Sequence, residues 1–163
     1  TYPLPEAQLD RFLLKISIDY PSAAEETQLV TLVTSGNIGD SLNVDKVQTL
    51  IQPEVILQLQ KLVASLTVDA QVVDYAVRLV RATRDWPNIT TGAGPRGGIA
   101  LIRAGRAAAL LAGRSFVTPD DIKQVAIPAL RHRISLSPET EIEGESTQMV
   151  LSRILDKVAA PRL

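Results

Sequence analysis

The stretch Thr90-Thr91-Gly92-Ala93-Gly94-Pro95-Arg96-Gly97-Gly98 stands directly before a long apolar run, Ile99 to Ala112. Pro95 suits the first position of a helix, because its missing N–H would have no partner there and its φ angle is already helical. The stretch therefore predicts a helix from Pro95 to about Ala112, with an alanine-rich face that allows close packing and with Gly113 as its stop.

Arg96 is an unusual residue for the first turn of that helix. A helix N-terminus carries unpaired N–H groups and a partial positive charge, so it favours anions over cations. With a phosphate nearby, the backbone donors, the helix dipole and the guanidinium can all point at one anion. Taken by itself, the stretch fits a surface arginine near a helix cap better than it fits a phosphate ligand.

The amino-acid composition limits the functions that the chain can have. The 163 residues are 45% hydrophobic, which is enough for the core of one or two small domains. A formal net charge of -1 gives no sign of general nucleic-acid binding, and the absence of cysteine excludes thiolate metal sites. The single histidine, His132, is too little for a metal site or a catalytic triad, so we expect a structural or surface role. No apolar run approaches the roughly 18 residues that a membrane span needs.

Capping signals predict most of the helices. Ser22 and Glu25 form a capping box, and Thr118 and Asp121 are spaced in the same way. Gly36, Asn37 and Gly39 are expected to end the first of these helices, and residues 131–145 read as polar and turn-rich. The predicted helices are Glu6 to Phe12, Ser22 to about Ser35, Pro53 to Val63, Asp69 to about Arg84, Pro95 to Ala112, Thr118 to about Leu130, and Thr147 to Val158.

One segment has the two-residue period of a strand. From Leu14 to Tyr20, apolar residues alternate with Lys15, Ser17 and Asp19. This is the only good strand signal that the pattern gives, and a single strand has no partner. We therefore expect this strand to belong to a sheet that lies outside the chain.

The string Gly92-Ala93-Gly94-Pro95-Arg96-Gly97 also matches the Gly-x-Gly-x-x-Gly pattern of dinucleotide-binding proteins. That motif needs a buried strand directly before it, inside a strand–helix–strand unit. Here a predicted helix ending at Trp86-Pro87 comes first, and Pro95 intrudes into the turn. The sequence therefore argues against a dinucleotide site.

Two separated groups of residues together resemble the C-terminal part of the MoxR family of AAA+ ATPases. The first is the string Leu4-Pro5-Glu6-Ala7-Gln8-Leu9-Asp10-Arg11-Phe12, which is quite specific. The second begins at Gly94-Pro95-Arg96 and continues through Arg103, Arg106, Val117 to Ile122, and Leu130 to Arg133. Their order and spacing extend the resemblance over nearly the whole chain.

The resemblance implies a mainly α fold, an AAA+ helical lid bundle with a short remnant of the α/β core. Residues 1–20 would be that remnant, consisting of a helix and the last core strand, and residues 21–163 would be the helical lid domain. The family's Walker A, Walker B and sensor-1 elements would lie upstream, so the chain by itself is expected to be inactive.

The same resemblance implies roles for individual residues. Arg11 matches the arginine finger, which acts in trans on the γ-phosphate held by a neighbouring subunit. Arg96 matches the sensor-2 arginine, which reaches the phosphates bound by its own subunit, and Gly94 and Pro95 belong to the same motif. The family more often has serine at position 94 and a better helix former than Gly97.

For the intact protein, the resemblance implies an ATP hydrolase that uses ATP and Mg and works as a hexameric, cytoplasmic ring. Its activity would be chaperone-like remodelling or activation of a client protein, for example by metal or cofactor insertion. Partners with a von Willebrand factor A-type domain would be expected. Neither a bound cofactor, a metal site, a nucleic acid nor a membrane span is expected for this chain.

Two alternatives come from other classes of protein. The first is a helical protein-interaction scaffold without a nucleotide role, in which Arg11 and Arg96 would be ordinary surface residues. The second is a helix-turn-helix DNA-binding domain that uses Arg103, Arg106, Arg114 and Arg131. Against the second stands the near-zero net charge, because a phosphate footprint should concentrate basic charge on one face.

Overall fold

A computed structural model of the chain describes residues 2, 4–35 and 47–162, and these are mainly helical, as the sequence predicts. The helices are α1 Glu6–Leu9, α2 Ala23–Thr34, α3 Pro53–Ser65, α4 Ala70–Asp85, α5 Pro95–Leu111, α6 Pro119–Leu130, α7 Pro138–Ile142 and α8 Thr147–Lys157. The strands are β1 Thr67–Val68, β2 Ile89–Thr91, β3 Phe116–Val117 and β4 Ser135–Leu136.

The chain divides into two compact units. One contains the residues up to Ile16 together with those from Gln58 onward, and the other contains residues 17–57. The N-terminal segment with Arg11 therefore belongs to the same unit as α4 to α8. The assignment of residues 1–20 to a core remnant and of 21–163 to a lid stays a prediction.

The larger unit is built around the packing of α5 on α6. Gly105 of α5 lies so close to Ile122 of α6 that a β-carbon would come within 2.8 Å of its Cδ1 atom. Toward the other end of the pair, Gly97 faces Leu130, so the two helices run antiparallel. The helices α4 and α8 complete the core, whose largest fully buried side chains include Tyr75, Leu79, Leu101, Ile122, Leu130, Leu151 and Ile154.

The predicted caps are confirmed where the structure describes them. Ser22 and Thr118 each accept a hydrogen bond from the backbone N–H three residues on, and in both cases the acidic partner bonds back. Asp69 accepts from the Gln71 N–H at the start of α4. Gly113 has a φ of +73°, which favours glycine directly after α5. The predicted end of the Ser22 helix at Gly36, Asn37 and Gly39 lies outside the described residues.

The predicted strand from Leu14 to Tyr20 stays a prediction, because the sheet to which it is expected to belong lies outside the chain. This segment has no regular secondary structure in the described chain, and Ile16, Ile18 and Tyr20 are largely exposed. A strand is stabilised by a ladder of paired backbone groups, and here the Lys15 N–H donates to the Pro128 carbonyl of α6 at 2.8 Å.

Conversely, the structure contains four short strands that the sequence did not predict. β1 pairs in parallel with β3, and β2 pairs antiparallel with β4. β4 and α7 both fall within residues 131–145, which read as turn-rich. Each strand has only two or three residues, too few to show a two-residue period.

The unit of residues 17–57 differs in burial. None of the α2 residues, all of which the structure describes, is buried, and Leu29, Val30 and Leu32 are each more than half exposed. Within this unit α2 therefore forms from its cap and its local sequence more than from packing.

Candidate functional site

The loop before α5 is fixed by the end of α4. The N–H of Ala93 donates to Thr83 Oγ1 at 2.9 Å, and Arg84 Nε donates to the Ala93 carbonyl at the same distance. Ala93 and Thr83 are both fully buried. Since Ala93 lies two residues before Pro95, these bonds set the position at which α5 begins.

Two glycines of this stretch have packing reasons. A β-carbon at Gly92 would come within 2.7 Å of the Arg84 Cα atom, so the loop can pass α4 only because residue 92 has no side chain. A β-carbon at Gly97 would lie 3.0 Å from Leu130 and 3.3 Å from Ala93. Gly97 departs from the better helix former of the family pattern, and its neighbours here leave little room for one.

Arg96 occupies the second position of α5, after Pro95 at the first. Gly94 is the N-cap residue and offers no side-chain cap. The Arg96 side chain is 54% exposed, and its Nη1 atom lies 3.7 Å from Asp10 Oδ2. This carboxylate partly compensates the unfavourable position of a cation at a helix N-terminus.

Arg133 is the most heavily bonded side chain of the site, and it is only 3% exposed. Its Nε donates to Asp10 Oδ1 at 3.0 Å, and its Nη2 donates to the Asp10 carbonyl at 2.9 Å and to the Phe12 carbonyl at 2.7 Å. Nη1 donates to the carbonyl of Ala129 at the end of α6. One buried guanidinium therefore fastens the segment that carries Arg11 onto the end of α6.

His132 supports the same attachment. It is buried, and its Nε2 atom lies 3.0 Å from the Phe12 carbonyl. Burial, with a smaller contribution from the charge of Arg133, lowers the pKa of His132 below its ordinary value. The sequence allows a structural or a surface role for His132, and its burial and its contact with Phe12 favour the structural one.

A cavity of about 310 Å³ opens between the N-terminal segment and α5. Its lining includes four arginines and one carboxylate, that of Asp10. Arginines clustered around one concave surface attract anions and can bind phosphate oxygens in pairs. The lining residues are Asp10, Arg11, Leu13, Arg96, Ile99, Ala100, Arg103 and Arg133.

The structure thus brings Arg11 and Arg96 together, although they are far apart in the sequence. Gly94 and Pro95 do not line this cavity: Gly94 lines a smaller neighbouring one, and Pro95 lines a groove between α4 and α5. Sequence reasoning missed Arg133. Its only signal was its place in the Leu130–Arg133 string that carries the family resemblance.

A second arginine–aspartate pair lies away from the cavity. Asp121, at the start of α6, accepts from Arg114 at 2.7 Å and from the N–H and hydroxyl of Thr118 at 2.8 and 2.9 Å. The bond from Arg114 is the main cause that lowers the pKa of Asp121. Because its guanidinium is engaged here, Arg114 is not free for the phosphate contacts that a DNA-binding role would require.

Comparison with known proteins first defines the class. Residues 81–154, from within α4 into α8, match the AAA lid domain. Over 99% of its length the chain also has the fold of a candidate ATPase from Cytophaga hutchinsonii, with a TM-score of 0.85 and 33% identity, and covers 50% of that chain. The helices around the cavity therefore form an AAA lid domain.

The relatives then identify the family. The chain is 38% identical to the uncharacterized protein YeaC of Bacillus subtilis, covering 99% of this chain and 49% of YeaC. It is 35% identical to the chaperone MoxR1 of Mycobacterium tuberculosis, covering 99% of this chain and 44% of MoxR1. The chain belongs to the MoxR family of AAA+ proteins, and it spans about half the length of the curated relatives it matches. Among the described residues, no helix is both long and apolar enough to cross a membrane.

Proposed function

We propose that this chain is the lid portion of an ATP-hydrolysing AAA+ protein and that its arginine cavity receives nucleotide phosphates. The observation that carries the proposal is the convergence of Arg11 and Arg96 on one cavity. Family resemblance selects these two residues from the sequence, and the geometry independently brings them to one surface. Membership in the MoxR family supports an ATPase as the intact protein.

We propose different roles for Arg11 and Arg96, based on where each residue lies. Arg11 acts as an arginine finger that stabilises the charge developing on the transferred phosphoryl group. Arg96 acts as the sensor-2 residue and links phosphate contact to the position of α5. Resemblance alone implies two different nucleotides, one in a neighbouring subunit and one in the same subunit. Because both side chains line one cavity, we favour one nucleotide contacted by both.

ATP and Mg belong to this proposal as ligands of the intact protein. Mg bound to the nucleotide would neutralise phosphate charge during hydrolysis. The lid residues would bind and orient the phosphate end, and the rest of the nucleotide site would come from segments outside this chain.

The assembly, location and client of the intact protein are also proposals. We infer that the intact protein forms a hexameric ring in the cytoplasm and uses ATP hydrolysis to remodel or activate a client, with a von Willebrand factor A-type protein as a partner. The similarity to a protein named as a chaperone supports this direction.

The test is steady-state ATP turnover by the full-length protein that contains this chain. Arg11→Ala should lower kcat by about 10³-fold or more, because an arginine finger, supplied in cis or in trans, contributes a factor of that size. Nucleotide affinity should change little. Arg96→Ala should also lower turnover. Lys123→Ala, on α6 and outside the cavity lining, is the matched control and should leave turnover unchanged.

Normal turnover by Arg11→Ala would remove the finger assignment. A nucleotide-bound structure with the Arg96 guanidinium far from every phosphate would remove the sensor assignment. The 163-residue chain alone should show no ATP hydrolysis above background, and measurable hydrolysis would contradict its assignment as a lid.

A further inference from the structure

Asp10 divides its carboxylate between two arginines of very different exposure. Oδ1 accepts from the buried Arg133 at 3.0 Å, whereas Oδ2 lies 3.7 Å from the exposed Arg96. The first contact is a hydrogen bond from a buried guanidinium. The second is a looser charge contact at the mouth of the cavity, of the kind that solvent and salt weaken.

We propose that Asp10 and Arg133 are positioning residues: Asp10 holds Arg96 at the edge of the cavity until a phosphate takes its place, and Arg133 keeps Asp10 there throughout. The inference rests on the proposed phosphate role of the cavity. It adds a competing internal anion, one residue before Arg11, to that site.

The bonds made by Arg133 explain why a phosphate would break the contact of Asp10 with Arg96 but not its contact with Arg133. Besides the carboxylate, Arg133 binds the carbonyls of Asp10 and Phe12. Asp10 therefore stays in place when Arg96 leaves it, and so does the neighbouring Arg11. A phosphate that withdraws Arg96 meets a segment whose backbone on both sides of Arg11 is already fixed, so the site needs no rearrangement of that segment.

The competition also predicts a preference among anions. An incoming anion must replace the Asp10 carboxylate beside Arg96. An anion with a single charge that contacts only one arginine therefore gains little binding free energy. A terminal phosphate carries more charge and three acceptor oxygens, and it can contact several of the lining arginines at once. Asp10 thereby favours polyphosphates over carboxylates and other weak anions.

The experiment uses the 163-residue chain and inorganic tripolyphosphate, with affinity measured by calorimetry. Asp10→Asn is the decisive variant, since an asparagine oxygen can still accept from Arg133 but no longer carries the charge that faces Arg96. We expect its affinity for tripolyphosphate to rise about two- to fivefold, because an exposed competing ion pair has been removed. Asp10→Glu, which restores the charge, should bind nearly as the unaltered chain does.

Arg133→Gln tests the other side of the same pair and should change the affinity in the opposite direction. It removes the bonds that hold the Arg11 segment, so tripolyphosphate should bind more weakly. If Asp10 were only a structural residue, both variants would weaken binding. Weaker binding by Asp10→Asn would therefore overturn the inference and leave the proposed phosphate site intact.

A second readout needs no phosphate. Nuclear relaxation of the Arg96 Nε–H group should show a more mobile side chain in Asp10→Asn than in the unaltered chain or in Asp10→Glu. Equal mobility in all three would overturn the holding contact. A further outcome is that the unaltered chain binds no tripolyphosphate and behaves like Arg11→Ala and Arg96→Ala. That result would reject the proposed phosphate site and, with it, the replacement of Asp10 by a phosphate on Arg96. The mobility of Arg96 would then still report whether Asp10 holds it.

Discussion

The two ends of the α5–α6 pair each contain an arginine–aspartate pair, but the buried partner is reversed. At one end the Asp121 side chain is 4% exposed and Arg114 is 31% exposed. At the other end Arg133 is 3% exposed and Asp10 is 32% exposed. The residue types are the same, and the difference lies in which charge is buried.

This difference separates a structural pair from one that serves a site. The carboxylate of Asp121 is saturated by Arg114 and Thr118, so it has no capacity for another partner. In the other pair the buried arginine is saturated, and the carboxylate keeps one oxygen facing Arg96. Burying the cation leaves the anion at a surface where a ligand can compete with it.

Removing one arginine should have the largest effect on stability. Arg114→Ala would leave Asp121 as an unpaired buried charge, and we expect the free energy of unfolding to fall by about 3 kcal/mol. Asp10→Asn at the other end should cost less than about 1 kcal/mol, because the Arg133 bonds remain. Urea unfolding of both variants, with Lys123→Ala as control, measures the difference. Equal losses would mean that exposure does not distinguish the two pairs.

Two glycines of α5 should respond to alanine with opposite signs. Gly105→Ala places a methyl group 2.8 Å from Ile122 Cδ1 near the Asp121 end, and overpacking of this kind costs about 1–2 kcal/mol. Gly98→Ala, toward the Arg96 end, meets nothing closer than Val80 at 4.0 Å and should gain about 0.5–1 kcal/mol from helix propensity. Thermal unfolding of the two single variants provides the measurement. A loss of stability in Gly98→Ala would show that the cavity end is packed as tightly as the other.

The smallest expected effect is a pH dependence at the Arg133 end. Burial lowers the pKa of His132, so the unfolded chain binds its proton more readily than the folded chain does. This contribution to stability is complete above the ordinary pKa of about 6.5 and is lost as the pH falls below it toward the lower folded pKa. In His132→Gln the free energy of unfolding should vary less between about pH 7 and pH 5. An unchanged slope would show that His132 titrates normally.

The parts of the fold that could be predicted are those specified locally. Ser22, Asp69 and Thr118 start helices within three residues of themselves, and Gly113 ends one, so each boundary is readable from a short string. The short strands could not be predicted, because each exists only through a partner elsewhere in the chain. The alternation after Leu14 has the same limit, since a pattern of side chains does not supply the partner strand that a ladder needs.

The site was predictable only in part. The strings around Arg11 and Arg96 carried a family resemblance, and the structure brings both side chains to one cavity. Their support was not predictable, because the Asp10–Arg133 pair spans 123 positions and much of it consists of bonds to backbone carbonyls, which any sequence has. Distant donors to the main chain leave no pattern in the residues that accept them.

The attachment through Arg133 also limits how early in synthesis the Arg11 segment can dock onto α6. The Arg11 segment leaves the ribosome before its partner Arg133, which follows 123 residues after Asp10. At about 5–20 residues per second, the segment waits on the order of 10 s before it can dock. The arginine cavity therefore cannot assemble until Arg133 has been made, and a chain truncated before the end of α6 would carry Arg11 without the bonds from Arg133.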